Sequence, residues 1–180
     1  MNRLIAIKEQ NDIFKEYQNT PIGLLLEYHN LGKPFEKHTV AQLLVGMCMD
    51  NRNQLRIPNN FTYILRSGGG NLRYSEFKVS YAVAVGKVKH IALIGHSNCA
   101  MVNLYSRKEI FIEGLVENAG WDRTLATDHF LQFWPLFEIG NEIDFLLTET
   151  KRLRMRYPKI TIAPLYYKVE DNLLYLIDEK

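Results

Sequence analysis

From residue 39 to 49 the chain reads TVAQLLVGMCM, apolar at almost every position, and the stretch that follows, DNRNQ, is wholly polar. A segment that is apolar on both alternating faces is what a strand inside a parallel sheet shows, because helices cover it above and below. A second strand is predicted at 61–66, FTYILR, running straight into SGGGN. Residues 75–88 place Phe77, Tyr81, Val85 and Val88 at helical spacing, and HIALIG at 90–95 reads as a third strand. Strand and helix alternating in this way imply parallel strands joined by right-handed crossovers. The expected fold class is therefore α/β: a three-layer domain with a central, mostly parallel β-sheet flanked by helices.

On either side of this block the pattern turns helical. Residues 11–31 read as two helical pieces: Asn11 or Asp12 can cap the first, and Thr20 followed by Pro21 caps and starts the second, which stops near Asn30 and Gly32. Residues 1–35 would then form an N-terminal helical arm. From 97 to 157 the pattern is mainly helical, with a loop around ENAGWDRT at 117–124 and a break at Trp134 and Pro135. The segment from Glu142 to Tyr157 has helical period and is stopped by Pro158, and Lys159 to Asp178 reads as a strand and a hairpin turning at 170–172.

With 180 residues, 47% hydrophobic and 23% charged, and no repeat or low-complexity linker, the chain is expected to form a single domain over 1–180. A net charge of +2, from 22 basic and 20 acidic residues, gives no pull toward nucleic acid or membrane. The basic run KRLRMRY at 151–157 is expected to lie solvated at a helix end, where cations complement the dipole. No stretch approaches the ~18 uninterrupted apolar residues of a membrane span, and the opening residues lack a signal-peptide pattern, so a cytoplasmic protein is expected.

Candidate chemistry gathers at two strand ends. Cys48, Asp50 and Arg52 alternate, so in an extended strand they would share a face. His96 and Cys99 follow the third strand at a spacing of three, which one helical turn would bring to one side. Open parallel sheets hold ligands beyond such strand ends. Two thiolates and an imidazole make a soft set suited to zinc, with a fourth position left open as in catalytic sites. Asp50 could occupy that position or orient a water there, and Arg52 could keep it ionised. The main rival is a redox pair of Cys48 and Cys99. His29, His38, His90 and His129 are weaker candidates for a proton shuttle, with surface or turn roles the simpler reading. Trp121, Phe130, Phe133, Trp134 and Phe137 read as core or subunit interface.

CMDNR at 48–52, ILRSGGG at 64–70 and GHSNCA at 95–100 together resemble the three signatures of β-class carbonic anhydrases, C-x-D-x-R, R-N-A-G-G (or R-N-A-G-N) and H-x-x-C-G, in the same order and at similar strand positions. The resemblance covers most of 39–180 and is nearest to the compact microbial branch. It implies one zinc per chain on Cys48, His96 and Cys99, an Asp50–Arg52 catalytic dyad, and a pocket loop of Ser67, Gly68 and Gly69. It further implies reversible hydration of CO2 to bicarbonate by a zinc-bound hydroxide, and at least a homodimer with the N-terminal helices packing across subunits. Relatives that hydrolyse COS or CS2 on the same site, and a non-catalytic zinc or redox protein of this fold, are the alternatives. Ser67 and Gly68 stand where the family has Asn and Ala, Asn98 where Asp is common, and Ala100 where Gly follows the second cysteine.

Overall fold

The structure, a computed structural model, describes residues 3–179; Met1 and Asn2 of the expected arm, and Lys180, lie outside the described residues. Six strands form one sheet: β1 (Leu4–Ala6), β2 (Leu43–Cys48), β3 (Thr62–Ser67), β4 (His90–His96), β5 (Thr161–Lys168) and β6 (Leu173–Ile177), in the spatial order β1-β6-β5-β4-β2-β3. The four strands β3, β2, β4 and β5 are mutually parallel, and β6 and β1 add antiparallel at one edge.

Alternation along the central strands divides the core into two layers. Leu43, Val45, Met47, Ala92, Ile94, Ala163 and Leu165 point to the side covered by α1 (Pro21–His29), whose Ile22, Leu25, Leu26 and Tyr28 are fully buried. Leu44, Ile91, Leu93 and Ile162 point to the other side, covered by α2 (Glu76–Ala84) and α5 (Glu142–Arg156). The three-layer arrangement thus follows from the near-continuous apolar strands. Two more helices, α3 (Lys108–Ala119) and α4 (Arg123–Phe137), pack on each other around Ile112, Ala126 and Phe130 between β4 and α5.

Several expectations change. The first helical piece is absent: Gln10–Asp12 form a short 3-10 turn and the chain then turns to Thr20. Asp12 Oδ2 accepts the N–H groups of Lys8 and Glu9, and Gln18 Nε2 donates to Ile13 O, so side chains take the backbone groups a helix would need. Ile13 and Tyr17 are buried, and their spacing of four produced the helical pattern. α1 forms as predicted, capped by Thr20 Oγ1, and is buried on the sheet of its own chain. α4 runs through Pro135 to Phe137, because a proline in the last turn removes only one intrahelical bond.

The basic run is not merely solvated. Arg152 pairs with Glu149 and Glu76, Arg156 with Glu76, and Arg154 with Glu179 and the Ile162 carbonyl. The strand β1, three residues long, carries too little pattern to be read from sequence.

Candidate metal centre

β2 and β4 are parallel neighbours, with β3 on the outer side of β2 and β5 on the outer side of β4. The direction in which the sheet grows reverses between them, and a crevice opens beyond the carboxyl ends of the strands at such a switch point. Cys48 is the last residue of β2 and His96 the last of β4, so both stand at the mouth of this crevice. Cys99 returns to it through a turn, not the helical turn expected: Asn98 adopts a left-handed conformation (φ 56°), and Val102 N donates to Cys99 O. Asparagine tolerates this region because its short side chain can bond locally. The ligand atoms of Cys48, His96 and Cys99 lie within 4.8 Å of one another, and all three residues are buried.

The protonation pattern of the cluster is set by its neighbours. His96 Nδ1 lies 2.9 Å from the Ser97 carbonyl, which only accepts, so Nδ1 carries the proton and Nε2 presents a lone pair. That Nε2 is buried with no hydrogen-bond partner, an arrangement costly in an apolar core unless something binds it. Cys48 ionises first, its pKa pulled down to about 4 chiefly by the Cys99 thiol and then, against burial, by the neighbouring His96 ring and the Asp50 main chain. The same pairing with Cys48, together with burial, pushes the Cys99 thiol up, against the backbone N–H of Met101. Zinc ligation would remove the remaining thiol proton, and ligand atoms around tetrahedral zinc lie roughly 3.5 to 4 Å apart, so a small closure of this cluster accommodates the ion. Two sulfurs and an unpartnered imidazole nitrogen fit zinc.

Strand β2 stops at Cys48, so Asp50 and Arg52 are brought together by a turn and not by extended alternation. Asn53 N donates to Asp50 O to close it. Arg52 folds back on Asp50: Nε donates to Oδ1 at 2.9 Å, Nη2 to Oδ2 at 2.6 Å, and the Arg52 backbone N–H also reaches Oδ1. The two side-chain bonds from Arg52 hold the Asp50 carboxyl at about 2, against partial burial. An ionised carboxylate offers about four acceptor sites, so these three bonds leave one, on Oδ2. Asp50 is not among the residues that converge as metal ligands; it stands beside them, bound to its arginine.

Of the predicted pocket loop, Ser67 ends β3 in register with Cys48, and its carbonyl accepts Met49 N. Gly68 lines an apolar hollow of about 370 Å³ with Met49, Met101, Phe133, Trp134 and Phe137, and Gly69 packs on Ile139. Gly69 and Gly70 both have positive φ, a conformation that favours glycine, and Gly70 lies close to the backbone of Ile94, Met47 and Cys48. The glycine turn thus seals the ends of β2 and β4 with main chain. The cysteines otherwise face Ile139, Met101, Val102 and Phe145, an apolar wall.

Three residues around the site were not anticipated. Arg66 donates to the carbonyls of Cys48 and Asn53, bracing the turn that carries Asp50 and Arg52. Tyr167 Oη donates to the Arg52 carbonyl or to Asn172 Oδ1. Glu170 accepts from Ser97 Oγ and Asn98 Nδ2, both at 2.8 Å, and Ser97 Oγ in turn accepts Val169 N. Only Arg66, adjoining SGGG, carried any sequence signal. Among the shuttle candidates, His38 is buried against Tyr28 Oη, His29 is held between Arg56 N and Asn172 O, and His90 starts β4 at the end remote from His96. The surface or turn reading thus fails for His38. His129 packs among Phe111, Trp121 and Phe133, with the aromatic residues of α4.

No protein-family model matches the chain and no curated protein matches it. Solved structures do. A carbonic anhydrase from Glaciozyma antarctica superposes with a TM-score of 0.62 at 17% identity over 78% of this chain and 85% of that one. A β-carbonic anhydrase from Trichomonas vaginalis gives 0.61 at 15% identity over 83% and 91%. A carbon disulfide hydrolase in its apo form gives 0.51 at 21% identity over 78% and 80%. The fold is the β-carbonic anhydrase fold.

Proposed function

We propose that this chain, with the β-carbonic anhydrase fold, is a zinc-dependent carbonate dehydratase that interconverts CO2 and bicarbonate. One observation carries the reading: at the switch point of the sheet, a buried imidazole nitrogen with a free lone pair converges with two thiols beside an ionised aspartate held by its own arginine. Cys48, His96 and Cys99 would hold one zinc. Zinc there supplies a Lewis acid that lowers the pKa of water toward neutrality and so furnishes a nucleophile.

The chain's own groups do the rest. His96 is fixed in one tautomer by the Ser97 carbonyl, so its ring cannot rotate away without losing that bond. Asp50, ionised well below neutrality, keeps one acceptor site on Oδ2 with which to orient a water hydrogen and direct the oxygen lone pair at the substrate. Arg52 holds Asp50 in a two-point pair apart from the three ligand residues. The apolar wall of Ile139, Met101, Val102 and Phe145 suits an uncharged linear substrate. Both cysteines are free thiols, as a reducing cytoplasm would keep them. Assembly as a homodimer belongs to the same reading, supported by Phe77, Tyr81 and Val85, which form an exposed apolar row on and just past α2, and by Tyr63 and Ile64, exposed on the edge strand β3.

Similarity to a carbon disulfide hydrolase favours a second reading, hydrolysis of CS2 or COS at the same cluster. Stopped-flow CO2 hydration beside CS2 and COS assays separates the two. Metal analysis tests the layer beneath both: about one zinc per chain is expected, lost in Cys99→Ser. A purified chain that holds no zinc and carries a Cys48–Cys99 disulfide would identify the redox alternative.

A further inference from the structure

The guanidinium of Arg52 has a second anchor that its aspartate does not explain. Nη2 donates both to Asp50 Oδ2 and, at 3.0 Å, to the carbonyl oxygen of Asn98. That carbonyl faces Arg52 because Asn98 is in the left-handed region, and both side chains of the Ser97–Asn98 turn are bound by one carboxylate, Glu170. Glu170 belongs to the turn joining β5 and β6, whose neighbours Tyr167 and Asn172 also reach the Arg52 carbonyl and the Tyr167 hydroxyl. The contacts form a continuous path from Glu170 through Asn98 O and Arg52 to Asp50.

We propose that Glu170 is a positioning residue for the Asp50–Arg52 pair. It fixes the Ser97–Asn98 turn so that the Asn98 carbonyl holds the arginine in the orientation that keeps Asp50 off the ligand cluster. Charge-assisted bonds to a carboxylate are shorter and stronger than neutral ones, so two of them on adjacent side chains reinforce a turn whose Ser97 main chain is held by Tyr167 O and His96 Nδ1 and fix its Asn98 side. When Glu170 is removed, the Asn98 peptide gains freedom to rotate, its bond to Arg52 weakens, and the Asp50–Arg52 pair can swing as a unit. The kinetic consequence rests on the hydration reading; the geometric one does not.

Two readouts on the full-length, zinc-treated chain test this. The first is hydrogen exchange of the Arg52 side-chain Nε–H followed by NMR. Glu170→Ala is expected to speed it about tenfold, while Asp171→Ala, in the same turn but bonded to Leu173 N and Tyr175 Oη, leaves it unchanged. Glu170→Gln, which keeps an acceptor for Asn98 Nδ2, restores most of the protection. The second readout is CO2 hydration: Glu170→Ala lowers kcat about three- to tenfold with KM within about twofold, and adds nothing further in an Arg52→Ala background. Unchanged Arg52 exchange in Glu170→Ala, or losses that multiply independently with Arg52→Ala, would overturn the proposal. A wild-type chain that hydrates no CO2 overturns the hydration reading instead, and the exchange comparison then decides the role of Glu170 alone.

Discussion

Glu149 and Asp50 each receive an arginine through both carboxylate oxygens, Arg152 on Glu149 at 2.7 and 3.0 Å and Arg52 on Asp50 at 2.6 and 2.9 Å. Their surroundings differ. The Glu149 side chain is 1% exposed and is bound also by Arg73, while Arg152 reaches on to Glu76 at the start of α2. The cluster joins α5, α2 and the segment after the glycine turn, and Glu149 accepts from two arginines on separate elements. Asp50 is 14% exposed and its arginine 44% exposed, and the pair stands beside the ligand cluster with one acceptor site left on Oδ2. Identical fork geometry therefore serves cohesion where the carboxylate is enclosed and shared by two arginines from separate elements, and control of a site where it is partly open and bound by one neighbouring arginine.

Substitutions that separate stability from turnover break or sharpen this contrast. The largest effect is expected from Asp50→Ala, which should lower hydration about 1000-fold while about one zinc per chain and the unfolding midpoint are kept. Activity within a few-fold of wild type would place Asp50 outside the mechanism. Arg152→Ala should do the reverse. It leaves Glu149 buried with a single longer partner, and should cost about 3 kcal/mol in urea unfolding with hydration per folded molecule unchanged. Arg52→Lys tests whether the fork itself matters: an ammonium can balance the charge but cannot bind both oxygens, so kcat should fall about tenfold with normal stability.

The smallest effect concerns an uncharged support of the same hairpin turn that carries Glu170. His29 accepts Arg56 N at Nδ1 and donates from Nε2 to Asn172 O, and burial lowers its pKa below the ordinary histidine value. The folded protein therefore holds His29 neutral while the unfolded chain takes up a proton first as pH falls. Stability should decline as pH drops below about 6.5 and level off once the folded form also protonates. Urea midpoints between pH 7.5 and 5 should show this slope in wild type and a shallower one in His29→Gln.

The fold was legible where strands are buried on both faces. LLVGMC and HIALIG read correctly because a parallel strand under two helical layers has no polar face to confuse the pattern. It was illegible at 11–19, where Ile13 and Tyr17 keep helical spacing although Asp12 and Gln18 capture the backbone. At the site, Cys48, His96 and Cys99 were readable because their residue types and strand-end placement carry the information, and the structure brings the three together. Asp50 and Arg52 were paired for the wrong geometric reason, since a turn and not strand alternation joins them. Glu170 could not be found, because its relation to Asn98 is long-range and a Glu-Asp-Asn turn is ordinary hairpin chemistry.

Much of what surrounds the cysteine–histidine cluster is main chain: the Ser97 carbonyl on the imidazole, the Asn98 carbonyl on Arg52, and the backbone of the glycine turn against β2 and β4. Amides are common to almost every residue, so a lineage can replace most side chains here without dismantling the scaffold. Such a centre tolerates sequence drift until only a handful of letters remain under selection. A chain can then share its architecture with proteins at 14–21% identity and still match no family model.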